Sequence, residues 1–214
     1  MSFIDITPHI LPILAAFFTG VAGPVLVTFV KHKLNVRKIN EIHKRRTDFN
    51  ITIDTQQKIN KSINQFQTKH DLDRIWIAQF HNGGNFYPGN KSMKKLSVTF
   101  EATRSGISTD IMKMQNLPVS FFSNVLQEMN IKQTGYIIET LETEDNAFKG
   151  FWESRGITRT YLFPIICIEG GFIAIFGVDF IHRDEKLPDS VFRELEIESK
   201  HLSGYIATVS VEKH

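Results

Sequence analysis

The sequence predicts an α+β protein in which an antiparallel sheet is flanked by helices, preceded by one transmembrane helix and a long helical connector. Three observations lead to this fold class. Residues 10–30 are apolar and carry no Asp, Glu, Lys or Arg. Residues 35–73 contain neither proline nor glycine, as a long helix requires. Two apolar, β-rich runs, 159–168 and 171–180, are joined by Glu169-Gly170-Gly171, which is a hairpin signal.

Size and composition limit the number of domains and the class of protein. The 214 residues leave room for one domain of ordinary size and an accessory segment. Charged residues make up 22% of the chain and hydrophobic residues 42%, which is typical of a folded protein with a core. A net charge of +2 is too small to indicate nucleic-acid binding. The lone Cys167 cannot form an intrachain disulfide.

The segment 10–30 reads ILPILAAFFTGVAGPVLVTFV and predicts a membrane span. About twenty residues at a rise of 1.5 Å cover the hydrocarbon core of about 30 Å. Pro12 falls in the first turn, and Pro24 predicts a kink. Gly20 and Gly23 form a small-residue patch that either allows a second helix to approach or relieves crowding at Pro24. The alternative for the whole segment is a buried core helix.

Charges on the two sides of this segment predict its orientation. Before it stand Asp5 and no Lys or Arg, whereas the segment after it is basic. The positive-inside rule therefore predicts an N-terminus outside and a cytoplasmic C-terminal domain, with the basic flank near anionic lipid. The basic residues are Lys31, Lys33, Arg37, Lys38, Lys44, Arg45 and Arg46.

Residues 31–70 are predicted to form the basic juxtamembrane segment and the helical connector. A heptad frame passes through this segment, but half of its positions are polar. Two interpretations remain: a weak coiled coil with Asn60 setting the register, or a stripe that lies on the domain's own surface. The frame runs through Ile39, Ile42, Arg46, Phe49, Ile53, Gln56, Asn60, Ile63, Gln67 and His70.

Residues 71–214 are predicted to form the α+β domain. The run 74–80 is apolar on both faces and indicates a buried central strand, and residues 96–101 alternate with the period of a strand with one wet face. The remaining predicted elements are a helical region over 108–130 with Pro118 opening its second part, a strand over 136–139, a helix over 145–155 closed by Gly156, the hairpin, and a last helix from Pro188.

The segment TYLFPIICIEGGFIAIFGVDF, followed by a long C-terminal helix, resembles the end of a GAF (PAS-like) domain. The resemblance covers roughly 71–211 as a pattern of elements. With its N-terminal anchor, the chain resembles membrane-anchored GAF-like domains of a kind found in tailed-phage genomes. It implies a ligand pocket between the sheet and its covering loops, walled by 81–87, by Phe100 and Glu101, and by 148–161. Residues typical of bilin attachment or cyclic-nucleotide binding in that family are not recognisable.

The layout of tail, single span, connector and α+β domain is also similar to the lysis-timing holins of T-even-like phages. That resemblance implies a span that oligomerises in the inner membrane and a domain that binds a regulator. Those holins export the domain, whereas the basic flank here predicts its retention.

The candidate ligand-binding residues are the polar and aromatic side chains that would line the implied pocket. The alternative for His81 and Asn82 is a turn at Asn82-Gly83, with His81 capping backbone carbonyls. Each other candidate is alternatively a surface or hydrogen-bonding residue. The set is His81, Asn82, Tyr87, Phe100, Glu101, Arg104, Trp152, Arg159 and Tyr161.

Catalytic signatures such as the G-x-S-x-G elbow, the P-loop and H-E-x-x-H do not occur in the sequence, which predicts a non-enzymatic protein without cofactor or metal. The expected partners are the lipid bilayer, a second copy through span and connector, and a small-molecule or protein ligand. An acidic group is interpreted as solvated surface or as a hard-cation or acid–base site; it comprises Glu139, Glu142, Glu144 and Asp145.

Overall fold

The computed structural model describes residues 23–82, 93–140, 142, 146–168 and 170–210. The chain divides into two compact units, Met1–Ile51 and Thr52–His214. Within the first unit the described residues are helical and belong to α1, which is assigned as Gly23–Lys69. The second unit contains the sheet and the remaining helices.

The predicted span lies largely outside the described residues. Pro12 and Gly20 fall in the part that is not described, and Gly23 and Pro24 are the first described residues of α1. None of the helices that the structure describes combines the length and apolar character needed to cross a bilayer. The span at 10–30 therefore stays a prediction.

In the part of the chain that the structure describes, the strands are β1 (Arg74–His81), β2 (Lys95–Thr103), β3 (Leu117–Pro118), β4 (Tyr136–Glu139), β5 (Ile157–Ile166) and β6 (Phe172–Ile181). These six strands form one antiparallel sheet in the order β3-β2-β1-β6-β5-β4. The two central strands, β1 and β6, are buried along almost their whole length, and most of their side chains on both faces are apolar.

Helices cover both faces of the sheet. One core cluster joins sheet residues to Ile59 and Ile63 of α1 and to Leu195 of the last helix. The other joins Trp76 and its neighbours on the opposite face to shorter helices. These helices are α2 (Ser123–Lys132), preceded by a 3₁₀ turn (Val119–Phe122), α3 (Asn146–Glu153) and α4 (Asp189–Ser210). The predicted α+β class with an antiparallel sheet between helices is confirmed.

The second part of α1 is a structural part of the domain. Its buried residues recur every fourth position at Thr55, Ile59, Ile63 and Gln67, which places them on one face of the helix. Asn60 and Gln56 of the heptad frame are exposed. Within the second unit, the face that packs on the domain includes Ile63 and Gln67 of the frame but not Gln56 or Asn60. The compact unit starts before the predicted boundary at residue 71.

The prediction of a helix over 108–130 is wrong for its first half. Residues 107–116 have no helical assignment, and α2 begins only at Ser123. The carboxylate of Glu101 accepts hydrogen bonds from the backbone N–H groups of Asp110 and Ile111. A side chain that satisfies backbone donors in this way offers the chain an alternative to helix formation.

A fragment that starts at residue 52 is expected to unfold cooperatively, whereas one that starts at residue 71 is expected to be much less stable. The shorter fragment lacks Ile59 and Ile63, and losing a large buried aliphatic side chain costs about 2–5 kcal/mol. Urea denaturation followed by circular dichroism measures the difference. Equal midpoints for the two fragments would show that α1 contributes nothing to the core.

Candidate functional site

The predicted site residues do not share one pocket. Phe100 and Tyr161 belong to the core cluster that faces α1 and α4, whereas Trp152 belongs to the cluster on the opposite face. Glu101 follows Phe100 in β2, so its side chain points to the same face as Trp152. Of the nine candidates, Glu101 and Trp152 are brought to one polar region on that face.

That polar region is a group of five charged side chains, which we call the buried ionic cluster. It contains Arg74, Glu101, Asp110, Arg155 and Asp179. Arg74 lies at its centre: its Nε is 3.2 Å from Glu101, and its Nη1 is 3.4 Å from both Asp110 and Asp179. Asp110 also pairs with Arg155 at 3.3 Å.

Asp179 is the most enclosed carboxylate of the buried ionic cluster. Its oxygens accept hydrogen bonds from Trp76 Nε1 at 2.9 Å and from Thr160 Oγ1 at 3.0 Å. Burial raises the pKa of the Asp179 carboxyl, while Arg74 and the two hydrogen bonds oppose that rise. Trp152 Nε1 donates to Thr160 Oγ1, which links the predicted site residue Trp152 to this carboxylate.

Arg155 lies at the outer side of the cluster. Its side chain is 15% exposed, compared with 3% for Arg74, so Arg155 is the more exposed of the two arginines. It lies over the Phe151 ring at 3.7 Å and donates to the Phe151 carbonyl oxygen. Burial, followed by smaller effects that include repulsion from Arg74, lowers the pKa of Arg155.

The contacts within the cluster are long. The polar contacts of Arg74 measure 3.1–3.4 Å, whereas Arg159 contacts Glu139 at 2.6 Å and Asp184 at 2.8 Å. Among the described residues, the Nε–H groups of Arg74 and Arg155 have no aligned hydrogen-bond acceptor. Each of these Nε atoms nevertheless lies beside a carboxylate, that of Arg74 beside Glu101 and that of Arg155 beside Asp110.

A large aromatic side chain lies beside these charges. The ring of Trp76 lies against Gly177 on the neighbouring strand, and a Cβ at Gly177 would stand 2.2 Å from the ring. A glycine is therefore required for Trp76 to lie flat on the sheet and to reach Asp179 with its Nε1.

His81 and Asn82 lie at the end of β1. His81 Nε2 lies 2.7 Å from Ser97 Oγ, and Asn82 Oδ1 accepts a hydrogen bond from the Lys94 backbone N–H. Burial lowers the pKa of His81, and the charge of Lys95 lowers it further. These contacts hold β1 and β2 together. Tyr87 lies outside the described residues.

Arg104 lies at the junction between α1 and the sheet. It pairs with Asp71 at 3.2 Å and with the fully buried Asp73 at 2.8 Å. Asp73 also accepts from Arg183 Nε and from the Ile181 backbone N–H, both at 2.8 Å. Arg104 is therefore placed in the connection between elements and not at the buried ionic cluster.

Arg159 and Tyr161 lie side by side on β5, on the face that α4 covers. Hydrogen bonding to Glu139 raises the pKa of Arg159. Burial raises the pKa of Tyr161, whose hydroxyl oxygen accepts the Leu187 backbone N–H at 3.0 Å. These contacts connect β5 to the segment that precedes α4.

The predicted acidic group is not assembled into one described site. Glu139 pairs with Arg159, Glu142 is exposed, and Glu144 and Asp145 lie outside the described residues. In the described ranges no group of three or more His, Cys, Asp or Glu side chains is arranged to hold a metal ion.

Sequence reasoning missed four of the five members of the cluster. Arg74 and Asp179 carried a usable signal, because each is a charged residue within an otherwise apolar strand and a buried charge requires a partner. Asp110 and Arg155 carried none, since each lies in an irregular segment of mixed composition.

Comparisons with solved structures identify the fold as that of a GAF domain. The phycoerythrobilin-bound GAF domain from a cyanobacterial phytochrome matches with a TM-score of 0.59 and 14% identity, over 79% of this chain and 95% of that chain. The GAF domain region of a Geobacter sulfurreducens PCA protein assigned to the membrane matches with a TM-score of 0.56 and 14% identity, over 74% and 97%.

A far-red cyanobacteriochrome photoreceptor matches with a TM-score of 0.57 and 10% identity, over 83% of this chain and all of that chain. At these identities the likeness shows the fold alone, and the predicted GAF-like fold is confirmed. The sequence matches no protein-family model, and no curated protein matches it.

Replacing Arg74 by Ala in the fragment that starts at residue 52 is expected to lower the free energy of unfolding by about 3–5 kcal/mol, because three buried carboxylates lose their shared counter-charge. Lys132→Ala is the control. It removes an exposed i,i+4 pair with Glu128, which contributes about 0.3–0.5 kcal/mol. Urea denaturation measures the free energy of unfolding of both variants. Similar losses for Arg74→Ala and Lys132→Ala would contradict the burial of the cluster.

Stability is expected to fall as the pH decreases through the lowered pKa of His81. The contribution of neutral His81 is fully present above the pKa of an unfolded histidine and is lost as the folded group becomes protonated. His81→Gln keeps a neutral hydrogen-bonding side chain beside Ser97 and should reduce this slope. Thermal unfolding of the intact chain and of its His81→Gln variant is measured between about pH 8 and about pH 5, which is roughly the range in which histidine titrates.

The matched control for this measurement is His32→Gln, because His32 is exposed. This variant is expected to keep the pH dependence of the starting protein. If the slopes for His81→Gln and the starting protein are the same, protonation at His81 does not oppose folding.

Proposed function

We propose that this chain is a non-enzymatic sensory or regulatory module, tethered to a membrane by residues 10–30, whose GAF-fold domain binds a small molecule or a protein partner. The binding face is the one that carries the buried ionic cluster. The observation that carries the proposal is this group of charged side chains on one face of the sheet, which includes the partly exposed Arg155.

Ordinary structural ion pairs explain this arrangement poorly. Burying charges costs several kcal/mol per ion, and apolar residues of the same size are often at least as stable. A face that gathers five charged side chains, one of them the partly exposed Arg155, favours a site at which a ligand supplies a further partner.

An anionic group of a ligand would meet Arg155 first. Pairing with Arg155 would release Asp110, which keeps a second partner in Lys113 at 3.1 Å. The backbone N–H of Asp110 is held by Glu101, so movement of Asp110 would act on the segment 107–116 and on β2. Ligand binding would thereby change the surface that a protein partner meets.

The comparisons support this proposal by example only. The phytochrome domain of the same fold is bound to phycoerythrobilin, a small molecule. The Geobacter protein carries its GAF region in a protein assigned to the membrane. The first example combines this fold with a bound small molecule, and the second combines it with a membrane protein. We propose both combinations for this chain.

The sequence supports the membrane tether and its orientation. The uncharged stretch 10–30 is long enough to span, and the basic flank after it favours the cytoplasmic side. We propose a single-pass protein with its N-terminus outside and its domain in the cytoplasm. We further propose that its signal passes through a partner or through self-association by span and connector.

Thermal-shift screening of the fragment from residue 52 tests ligand binding on the cluster. Anionic metabolites and nucleotides at a hundredfold excess over Kd should add about 2.7 kcal/mol to stability. Arg155→Gln should abolish the shift, and Arg193→Gln, which changes an exposed arginine on α4, should leave it unchanged. If no compound stabilises the fragment, the small-molecule form of the proposal fails and a protein partner remains.

Reporter fusions to the two termini of the intact chain test the orientation. A cytoplasmic signal from the C-terminal fusion and an external signal from the N-terminal fusion are expected, because moving the basic flank across the membrane is unfavourable. An exported C-terminus would contradict this orientation and would favour the holin-like alternative.

A further inference from the structure

We propose that residues 31–38 form an upright basic collar, in which cationic side chains on opposite sides of α1 bind the anionic phospholipid headgroups of the leaflet from which the helix emerges. This inference rests on the proposed membrane tether. It adds a specific lipid class and an orientation of the helix.

Charge is concentrated in one short part of α1. Between residues 31 and 46 there are seven Lys and Arg residues and one acidic residue, Glu41. In contrast, residues 47–73 carry acidic and basic residues in similar numbers, with Asp48, Asp54, Asp71 and Asp73 against Lys58, Lys61 and Lys69. The basic stretch therefore stands next to the apolar segment and not along the whole connector.

The basic side chains of the collar are exposed on opposite sides of the helix. At about 100° per residue, Lys31 and Lys38 lie within about 20° of each other. On the same estimate Lys33 and Arg37 lie on the opposite side, about 40° apart. All four are exposed in the described part of the helix.

Apolar side chains do not form a face along this segment. Leu34, Val36 and Ile39 are exposed and are spread around the helix axis. A helix that lies in the membrane interface needs one apolar face to bury and one polar face toward water. Charges on opposite sides instead favour a helix whose axis is roughly perpendicular to the membrane plane, because headgroups then surround the helix on all sides.

The distance of each basic residue from Lys31 along the helix axis determines whether it can reach the lipid headgroups. Lys38 is about 10 Å along the axis from Lys31, and Lys44 is about 20 Å from it. The headgroup layer of one leaflet is about 5–8 Å thick, and electrostatic attraction extends about 8 Å beyond it at physiological ionic strength. Lys31, Lys33, Arg37 and Lys38 therefore fall within reach of the headgroups, whereas Lys44 falls beyond it.

The test uses the intact chain reconstituted into vesicles of phosphatidylcholine and phosphatidylglycerol. Electron paramagnetic resonance of spin-labelled lipids measures how strongly the protein prefers phosphatidylglycerol to phosphatidylcholine. Two double variants remove the charges on one side each: K31Q/K38Q and K33Q/R37Q. Glutamine has a helix propensity close to that of lysine and arginine, so the helix should persist.

The collar predicts that the intact chain prefers phosphatidylglycerol and that each double variant lowers this preference by a similar factor, up to roughly fivefold for each charge removed. K44Q/K61Q removes two exposed charges beyond the headgroup layer and should leave the preference unchanged. Raising the salt concentration should weaken the preference of the starting protein, because screening shortens the reach of the charges.

The outcomes separate this inference from the proposed function. If alkaline carbonate extracts the intact chain from the vesicles, the membrane tether itself is wrong. If the chain stays in the bilayer without preferring phosphatidylglycerol, the collar alone is overturned. A loss confined to one of the two double variants would show that the helix lies on the membrane surface, which also overturns the upright collar.

Discussion

The central constraint on this domain is the burial of Arg74 among three carboxylates. Arg74 starts β1, Glu101 is on β2 and Asp179 is on β6, so the guanidinium connects three neighbouring strands. Asp110 brings the irregular segment 107–116 to the same point. A buried charge that loses its partners is strongly destabilising, so each of these elements is held where Arg74 needs it.

This constraint explains the irregular segment after β2. Glu101 contacts Arg74 with its carboxylate and also accepts the backbone N–H groups of Asp110 and Ile111. Those donors would otherwise need a helix or water. A side chain buried for its charge therefore also determines the backbone path of the segment that covers the cluster.

The two faces of the sheet have different physical characters. The face toward α1 and α4 is packed with aliphatic and aromatic side chains, including Ile63, Phe163 and Leu195. The opposite face combines apolar packing around Trp76 with the buried ionic cluster. Close packing gives stability on the first face, whereas the second face also buries charged side chains that need one another as partners.

The sequence by itself determined the order of most elements and the fold class, because hydrophobic periodicity and turn residues act over short distances. The hairpin at Glu169-Gly170-Gly171, the buried strand from Arg74 and the helix closed by Gly156 could all be read locally. Only the tertiary structure decided that Ile59 belongs to the core, that residues 107–116 are not helical, and that Arg74, Asp110, Arg155 and Asp179 meet. Those outcomes depend on contacts between residues far apart in the chain, whose partners no local pattern specifies.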